Sequence, residues 1–195
     1  PAFIHFEGSL PNRFCDSVIK YCLNKEDKVA RVGEMEKVSD EEVIKNQKIR
    51  KSNVVWVDEK WIYNVIHPYV HEANQQAGWN FQWDFSESCQ FTKYNLNQYY
   101  DWHCDTLDNN KKRVRKISIT CQLNDPCEYE GGDLEFDQRN YHPDERDSSK
   151  HVFKCKNLKK GSVVVFPSYM WHRVKPVTKG VRYSLVVWNC GKAFC

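Results

Sequence analysis

The chain has 195 residues, of which 41% are hydrophobic and 14% aromatic, so it can bury one sizeable core and is too apolar to be intrinsically disordered. Its formal net charge of +3 is only mildly basic and gives no general sign of a nucleic-acid-binding protein. No apolar run is long enough to span a bilayer and no signal peptide is recognisable, so we expect no membrane partner.

Cysteine usage points to the cellular compartment. The nine cysteines are an odd number and include no Cys-x-x-Cys pair, which argues against both a zinc ribbon and a regular disulfide framework. Reduced thiols in a reducing compartment are the simplest explanation. We therefore expect a cytoplasmic protein.

Helical periodicity is confined to the first 80 residues. Residues 9–12 have the features of a helix start, with Pro11 close to the first turn. Asp58 is a candidate N-cap for a second helix, and Pro68 is expected to kink or divide that helix. Residues 25–48 are rich in charge and predict a surface segment. The apolar residues at helical spacing in the two helical segments are Phe14, Val18, Ile19, Cys22, Leu23, Trp61, Ile62, Val65, Ile66, Tyr69, Val70 and Ala73.

From about residue 79 the pattern changes to short β-rich runs separated by turns. The number and spacing of these runs favour a jelly roll. The sequence therefore predicts one α+β domain over 1–195, with a double-stranded β-helix (jelly-roll) catalytic core at 81–195 and helices in residues 1–80 packed on one of its sheets. The predicted strands are residues 54–57, 89–94, 102–105, 114–123, 134–136, 152–155, 162–166 and 183–188.

Three other features have structural interpretations. The basic run 111–116 is predicted to be a solvated loop, with a patch for nucleic acid or an acidic substrate as the alternative. The charged segment 141–150 is predicted to be a long exposed loop. His67 and His71 have an i, i+4 spacing that suits a metal, but no acidic third ligand lies near them, so we interpret them as structural.

Two potential metal ligands, His103 and Asp105, are separated by one residue. On a β-strand such residues point to the same face, so an imidazole nitrogen and a carboxylate oxygen converge. They supply two ligands of a 2-His-1-carboxylate site, which holds non-haem Fe(II) and leaves positions open. His172, which follows a later predicted strand, is the candidate third ligand, and His142 and His151 are its rivals. A His-x-Asp pair is common by chance, so an exposed strand end or a buried core histidine is the alternative.

A positively charged residue, Arg182, opens an otherwise apolar predicted strand. If this side chain is buried it needs a partner, and a carboxylate suits the planar guanidinium. The alternative is an arginine on an edge strand, in solvent or in an internal salt bridge.

Together these residues carry a family resemblance. His103-x-Asp105, His172 and Arg182 resemble the signature of Fe(II)- and 2-oxoglutarate-dependent dioxygenases. The chain looks most like the prolyl 4-hydroxylase branch, including the small PKHD-type hydroxylases of bacteria and phages, strongly over 88–191 and more loosely over 9–83. The stretches that agree with this branch are Tyr94, 115–118, 122–126, 129–134, 166–168, 172–185 and Trp188.

The resemblance implies a role for each matching residue. The Fe(II) ligands would be His103, Asp105 and His172. The side chains that hold 2-oxoglutarate would be Arg182, at its distal carboxylate, together with Tyr94, Gln122 and Ser184. The contacts to substrate would be Tyr100, Arg115 and Trp188.

The resemblance also implies a reaction. The enzyme would hydroxylate a substrate C–H, most closely a prolyl residue of a peptide or protein, using O2 and releasing succinate and CO2, with ascorbate (vitamin C) as a reductant. If the chain is encoded by a phage, its location would be the host cytoplasm. Some members of the branch have Lys where this chain has Arg182, so the match leans to PKHD-type proteins, whose substrates are less uniform.

Three alternatives to a prolyl hydroxylase stay open. One is a PKHD-type hydroxylase of a small molecule, and another is a non-catalytic metal-binding β-roll module. A nucleic-acid demethylase of the same superfamily is disfavoured, because those enzymes usually carry a second Arg after the one that binds 2-oxoglutarate, and Arg182 is the last Arg of this chain.

Overall fold

A computed structural model of the chain describes residues 1–30, 48–106, 113–138, 151–155 and 158–193. The helices discussed below are α1 (Asn12–Leu23) and α2 (Lys60–Gln76). The strands are β1 (Ile4–Phe6), β2 (Lys28–Val29), β3 (Arg50–Lys51), β4 (Asn53–Val57), β5 (Phe85–Ser86), β6 (Cys89–Tyr94), β7 (Tyr99–His103), β8 (Arg113–Gln122), β9 (Tyr129–Gly131), β10 (Leu134–Asp137), β11 (Val152–Lys154), β12 (Val163–Pro167), β13 (Trp171–Val174), β14 (Val177–Gly180) and β15 (Arg182–Lys192).

The strands form two main antiparallel sheets. The large sheet has the order β1-β12-β8-β15-β6-β4-β2, with β5 beside β15, and the small sheet has the order β11-β10-β13-β7-β3. Strands β14 and β9 pair separately. Neighbours in the sheets are far apart in sequence, as β10 with β13 and β13 with β7, so residues distant in the chain meet across the small sheet.

The large sheet has one apolar and one polar face over its central strands. Along β8, Ile117 and Ile119 belong to the main hydrophobic cluster, whereas the buried Ser118 and Gln122 have the opposite parity. Because side chains alternate between the faces of a strand, the sequence Ile-Ser-Ile-Thr-Cys-Gln makes one face a core and the other a polar surface. The polar face is the one turned toward the small sheet, since Ser118 bonds Asp105 there.

The apolar face shares its cluster with both helices. Val18 on α1 and Ile62, Ile66 and Val70 on α2 are fully buried in the same cluster as the sheet residues. Their i, i+4 spacing places them on one side of each helix, as the sequence predicts. Burying each Ile or Val side chain contributes about 1.5–3 kcal/mol.

Two details of α2 differ from expectation. The helix runs through Pro68 without dividing. Proline has no amide hydrogen, so the Asn64 carbonyl loses its helical hydrogen bond. Both residues are exposed, so water can hydrate that carbonyl oxygen instead. Asp58 is not the N-cap; Glu59 occupies that position, with an extended backbone and no capping side chain. Asp58 instead accepts a hydrogen bond from the Tyr63 hydroxyl at 3.3 Å.

Residues 1–80 contain more than helices. The predicted strand at 54–57 is confirmed as β4, but β1, β2 and β3 were not expected. These strands have only two or three residues, too few for a period-2 pattern, and backbone pairing with longer strands defines them. Most of the predicted surface segment, residues 31–47, lies outside the described residues.

Most of the strands predicted after residue 88 are confirmed, as β6, β8, β10, β11, β12 and β15. The strand predicted at 102–105 is only partly right, because β7 ends at His103 and Asp105 is not on it. Strands β9, β13 and β14 were missed because each is short and mixes polar with apolar residues. Residues 111 and 112 of the basic run and the predicted loop at 141–150 lie outside the described residues, whereas residues 113–116 belong to β8. Among the described helices, none combines the length and apolarity needed to cross a bilayer.

A glycine fixes the approach of α1 to the large sheet. Gly161 has φ +83° and its carbonyl accepts a 2.9 Å hydrogen bond from the Leu10 amide. An added Cβ would lie 2.5 Å from the Leu10 carbonyl oxygen. Only glycine therefore fits the turn that leads into β12.

We predict that Gly161→Ala lowers the free energy of unfolding by roughly 2–4 kcal/mol, measured by urea denaturation. Gly78→Ala is the matched control, because Gly78 has φ +70° but a Cβ added there would meet no atom within 4 Å. The control should lose only the backbone cost, about 1 kcal/mol. Equal losses in the two variants would contradict the close approach.

Candidate metal centre

A register irregularity shapes the strand that opens the site. His172 pairs with His103 and Val174 pairs with Tyr100, so two steps along β13 match three steps along β7. The extra residue on β7 is a bulge, which re-aims side chains. Tyr100 and His103 would face opposite ways on a regular strand, yet both line the same pocket.

Three potential ligands converge at this point. The nearest oxygens of Asp105 lie 3.5 Å from His103 Nε2 and 3.6 Å from His172 Nε2. The three ligand atoms lie within 4.8 Å of one another. Strand β7 ends at His103, so Asp105 lies in the following turn, where its amide donates to the Ser168 carbonyl at 2.8 Å.

Both imidazoles are oriented with Nε2 toward the carboxylate. Nδ1 of His103 lies 2.7 Å from the Asp101 carbonyl oxygen, and Nδ1 of His172 lies 2.9 Å from that of Met170. A carbonyl only accepts, so each Nδ1 carries hydrogen and each neutral ring keeps its Nε2 lone pair free. Burial, with a further contribution from His103, lowers the pKa of His172 to about 4, so this ring is neutral at neutral pH.

The carboxylate is held as the anion although it is buried. Burial raises the pKa of Asp105, but the positive charge that His172 and His103 carry when protonated, a hydrogen bond from His103 and the Ser118 hydroxyl outweigh burial and hold that pKa below its usual range. Ser118 Oγ donates to Asp105 Oδ2 at 2.7 Å and lies 2.9 Å from Ser168 Oγ. Two imidazole nitrogens and one carboxylate fit a divalent metal such as Fe(II), with the remaining positions free for other ligands.

A second charged group, Arg182, lines the same pocket. It is 2% exposed, on a central strand of the large sheet, so the alternative of an edge-strand arginine in solvent is wrong. Its Nε donates to Gln122 Oε1 at 3.0 Å, and the Gln122 amide donates in turn to the Asn124 carbonyl at 2.9 Å. Its Nη1 is buried and has no partner in the described parts of the chain. A buried guanidinium with an unfilled donor fits an anionic ligand.

The other residues assigned by resemblance lie around these charges. Gln122 accepts the hydrogen bond from Arg182 described above. Arg115 lies 4.0 Å above the Trp188 ring and forms a salt bridge with Glu87 at 2.5 Å. The structure therefore brings all ten together, although Arg115 lies behind Trp188. Besides the triad and Arg182, four of these residues line the pocket directly, namely Tyr94, Tyr100, Ser184 and Trp188.

One rival histidine, His151, is not among the clustered ligands. His151 is exposed before β11, and His142 lies outside the described residues. His67 bonds Ser86 Oγ at 2.9 Å and packs on Trp83, as does His71, which agrees with a structural role.

Sequence reasoning missed two residues of the site. Ser118 was recoverable, because the polar positions of β8 alternate with its apolar ones and mark the face opposite the core. Arg50 is buried at 4% exposure, with its guanidinium 4.4 Å from the Tyr100 ring centroid. Nothing in its charge-rich segment distinguishes it from solvated neighbours.

Residues 89–190 match the family model described as the 2OG-Fe(II) oxygenase superfamily. A PKHD-type hydroxylase of Thermosynechococcus vestitus is 36% identical over 101 residues, covering 50% of this chain and 40% of that protein. One from Psychrobacter sp. is 35% identical over 103 residues, covering 50% and 36%. The matched region thus spans less than half the length of these relatives.

Solved structures share the fold over nearly the whole chain. A Pseudomonas putida prolyl-4-hydroxylase has a TM-score of 0.69 and 20% identity, covering 98% of this chain and 94% of that one. The viral collagen prolyl hydroxylase of Paramecium Bursaria Chlorella virus-1 also has a TM-score of 0.69 and 20% identity, covering 98% and 97%. These likenesses confirm the jelly-roll fold of the oxygenases.

We predict that Ser118→Ala weakens Mn(II) binding about tenfold, because it removes the hydroxyl that orients the Asp105 carboxylate. Calorimetric titration of the metal-free protein measures the affinity. Ser17→Ala is the control, since that hydroxyl donates to the Arg13 carbonyl on the exposed face of α1, away from the site. Unchanged affinity in Ser118→Ala would show that the hydroxyl does not support the ligand.

Proposed function

Because the chain belongs to the 2OG-Fe(II) oxygenase superfamily, we propose that it is an Fe(II)- and 2-oxoglutarate-dependent dioxygenase that hydroxylates a prolyl residue of a peptide or protein. The observation that carries this proposal is one pocket with a triad suited to Fe(II) and a buried guanidinium with a free donor. Bound iron, with O2, supplies the oxidation of a C–H to C–OH, coupled to decarboxylation of 2-oxoglutarate to succinate and CO2.

His103, Asp105 and His172 hold the metal in this proposal. The carboxylate offsets part of its charge, and the backbone carbonyls behind the two imidazoles fix their orientation. A retained carboxylate ligand also favours hydroxylation over halogenation, because related halogenases give up this ligand to admit chloride.

Arg182 holds the distal carboxylate of 2-oxoglutarate through its free Nη1. The bond from its Nε to Gln122 fixes the plane of the guanidinium, so Gln122 acts by orienting Arg182. The Tyr94 ring lies 5.7 Å from the guanidinium, and its hydroxyl and that of Ser184 complete the polar wall around the co-substrate.

The substrate lies on the side of the metal lined by Tyr100 and Trp188. The Trp188 indole N–H is buried and has no partner among the described residues, so it suits an acceptor such as a peptide carbonyl. Arg115 stacks on Trp188 and holds the ring in place. Prolyl hydroxylases share the fold, and one of them, from Trichoplax adhaerens, is in complex with a fragment of hypoxia inducible factor.

The proposal also covers the domain organisation, the reductant and the location of the reaction. The chain acts as one catalytic domain, in which residues 1–80 support a core at 81–195 and the two helices back the large sheet through their shared cluster. Ascorbate serves as a reductant, and the reaction takes place in the cytoplasm.

Incubation with Fe(II), 2-oxoglutarate and a panel of proline-rich peptides tests the function. We expect succinate release and a gain of one oxygen on a prolyl residue, seen by mass spectrometry. Oxygen gained only by free amino acids or other small molecules would favour the small-molecule hydroxylase. His103→Ala and Asp105→Ala should release no succinate, and full activity in either would relocate the metal site. No succinate release from the wild-type chain under any of these conditions would favour a non-catalytic module.

Arg182→Ala should raise the KM for 2-oxoglutarate at least tenfold, because the distal carboxylate loses its charged partner. Arg182→Lys should be milder but not neutral, since lysine keeps the charge and loses the fork. Initial rates of succinate formation measure both. Arg113→Ala is the control, because Arg113 pairs with Asp84 at an exposed end of β8. An unchanged KM in Arg182→Ala would place the co-substrate elsewhere.

A further inference from the structure

The Tyr100 ring contacts both a histidine of the triad and a guanidinium at the edge of the metal centre. The Tyr100 ring lies 3.4 Å from the His103 ring, centroid to centroid, at an interplanar angle of 7°. The Arg50 guanidinium lies 4.4 Å from the centroid of Tyr100. A cation thus packs on a ring that packs on a metal ligand.

The two histidines of the triad are supported differently. His172 is buried, with Phe166 4.7 Å away in an edge contact and Phe136 at 6.0 Å. His103 is more exposed, its side chain retaining 12% of its accessible area, and its ring contacts are with Tyr100 and, at 4.1 Å, with His172. The Asp101 carbonyl anchors Nδ1 of His103, and the flat contact with Tyr100 supports the plane of the ring that His172 receives from its phenylalanines.

Arg50 is itself fixed from both sheets. Its Nε donates to Ser52 Oγ at 2.8 Å, and its Nη2 donates to Gln90 Oε1 on β6 of the large sheet, also at 2.8 Å. Its backbone pairs with Tyr100 on β7 of the small sheet. Both acceptors are neutral side chains, and the guanidinium that they hold lies over the Tyr100 ring.

We propose that Arg50 is a positioning residue of the metal centre, acting through Tyr100 on the orientation of His103. The guanidinium holds the tyrosine ring flat against the imidazole, and the imidazole then keeps Nε2 aimed at the metal position. The two directional hydrogen bonds from Nε and Nη2 require the arginine fork, so lysine is not an equivalent. The inference rests on the metal site of the proposed function and adds a residue outside the ligands and the co-substrate pocket.

Titration of the metal-free chain with Co(II), without 2-oxoglutarate, tests this inference by affinity and by the visible absorption spectrum of the bound ion. Arg50→Met and Tyr100→Leu should each weaken Co(II) binding about tenfold and change the shape of the spectrum. Arg50→Lys should lie between Arg50→Met and the wild type. Tyr100→Phe keeps the stack and should retain the wild-type affinity for Co(II). Lys51→Met, at the exposed neighbouring position of β3, is the control and should match the wild type.

A double-mutant cycle separates positioning from a general structural role. If Arg50 acts through Tyr100, Arg50→Met should not weaken Co(II) binding further in a Tyr100→Leu background. Additive losses, or a loss of affinity in Arg50→Met with an unchanged spectrum, would overturn the inference. So would wild-type affinity in Arg50→Met, which leaves the proposed function standing. A wild-type chain that binds no Co(II) would overturn both. If Arg50→Met does not fold, the same cycle with Arg50→Lys decides the question.

Discussion

One buried carboxylate, Asp105, joins the two sheets of this fold. Its oxygens face the imidazoles of the small sheet and accept a hydrogen bond from Ser118 of the large sheet. An ionised group at 5% exposure is costly unless charge or hydrogen bonds compensate it. The turn at Ser168, the bulge of β7 and the polar face of β8 together provide that compensation, and they leave one side of the carboxylate to a cation.

The same pocket also holds a buried positive charge, which needs an anionic partner. Arg182 is a buried cation whose described partner, Gln122, is neutral, and one of its donors is unfilled. The protein therefore carries a buried anion beside two imidazoles and a buried cation beside an amide, in a pocket whose apolar lining includes Leu134 and Phe166. A divalent metal and a dicarboxylate satisfy both groups at once, which ties the electrostatics of the pocket to the chemistry of the family.

Sequence patterns predicted the parts of this arrangement that are periodic or chemically specific. The alternation of apolar and polar residues predicted β8 and its two faces. The helical spacing of apolar residues predicted the buried faces of α1 and α2, and the two histidines with an aspartate indicated the triad. The bulge that turns Tyr100 toward His103 depends on the register with β13, which no local pattern encodes. Arg50 is the clearest omission, because a two-residue strand has no periodicity and burial of its guanidinium arises only from tertiary contacts. At Pro68 a kink or a division of the helix was expected, and of these the division does not occur, because α2 continues through the proline.

A crystal structure of the chain grown anaerobically with Mn(II) and 2-oxoglutarate tests the central claim most directly. Anomalous scattering should place one Mn(II) within bonding distance of His103 Nε2, an Asp105 oxygen and His172 Nε2. The distal carboxylate of 2-oxoglutarate should lie within hydrogen-bond distance of Arg182 Nη1. Manganese at another position, or a co-substrate whose distal carboxylate does not reach Arg182, would contradict the account.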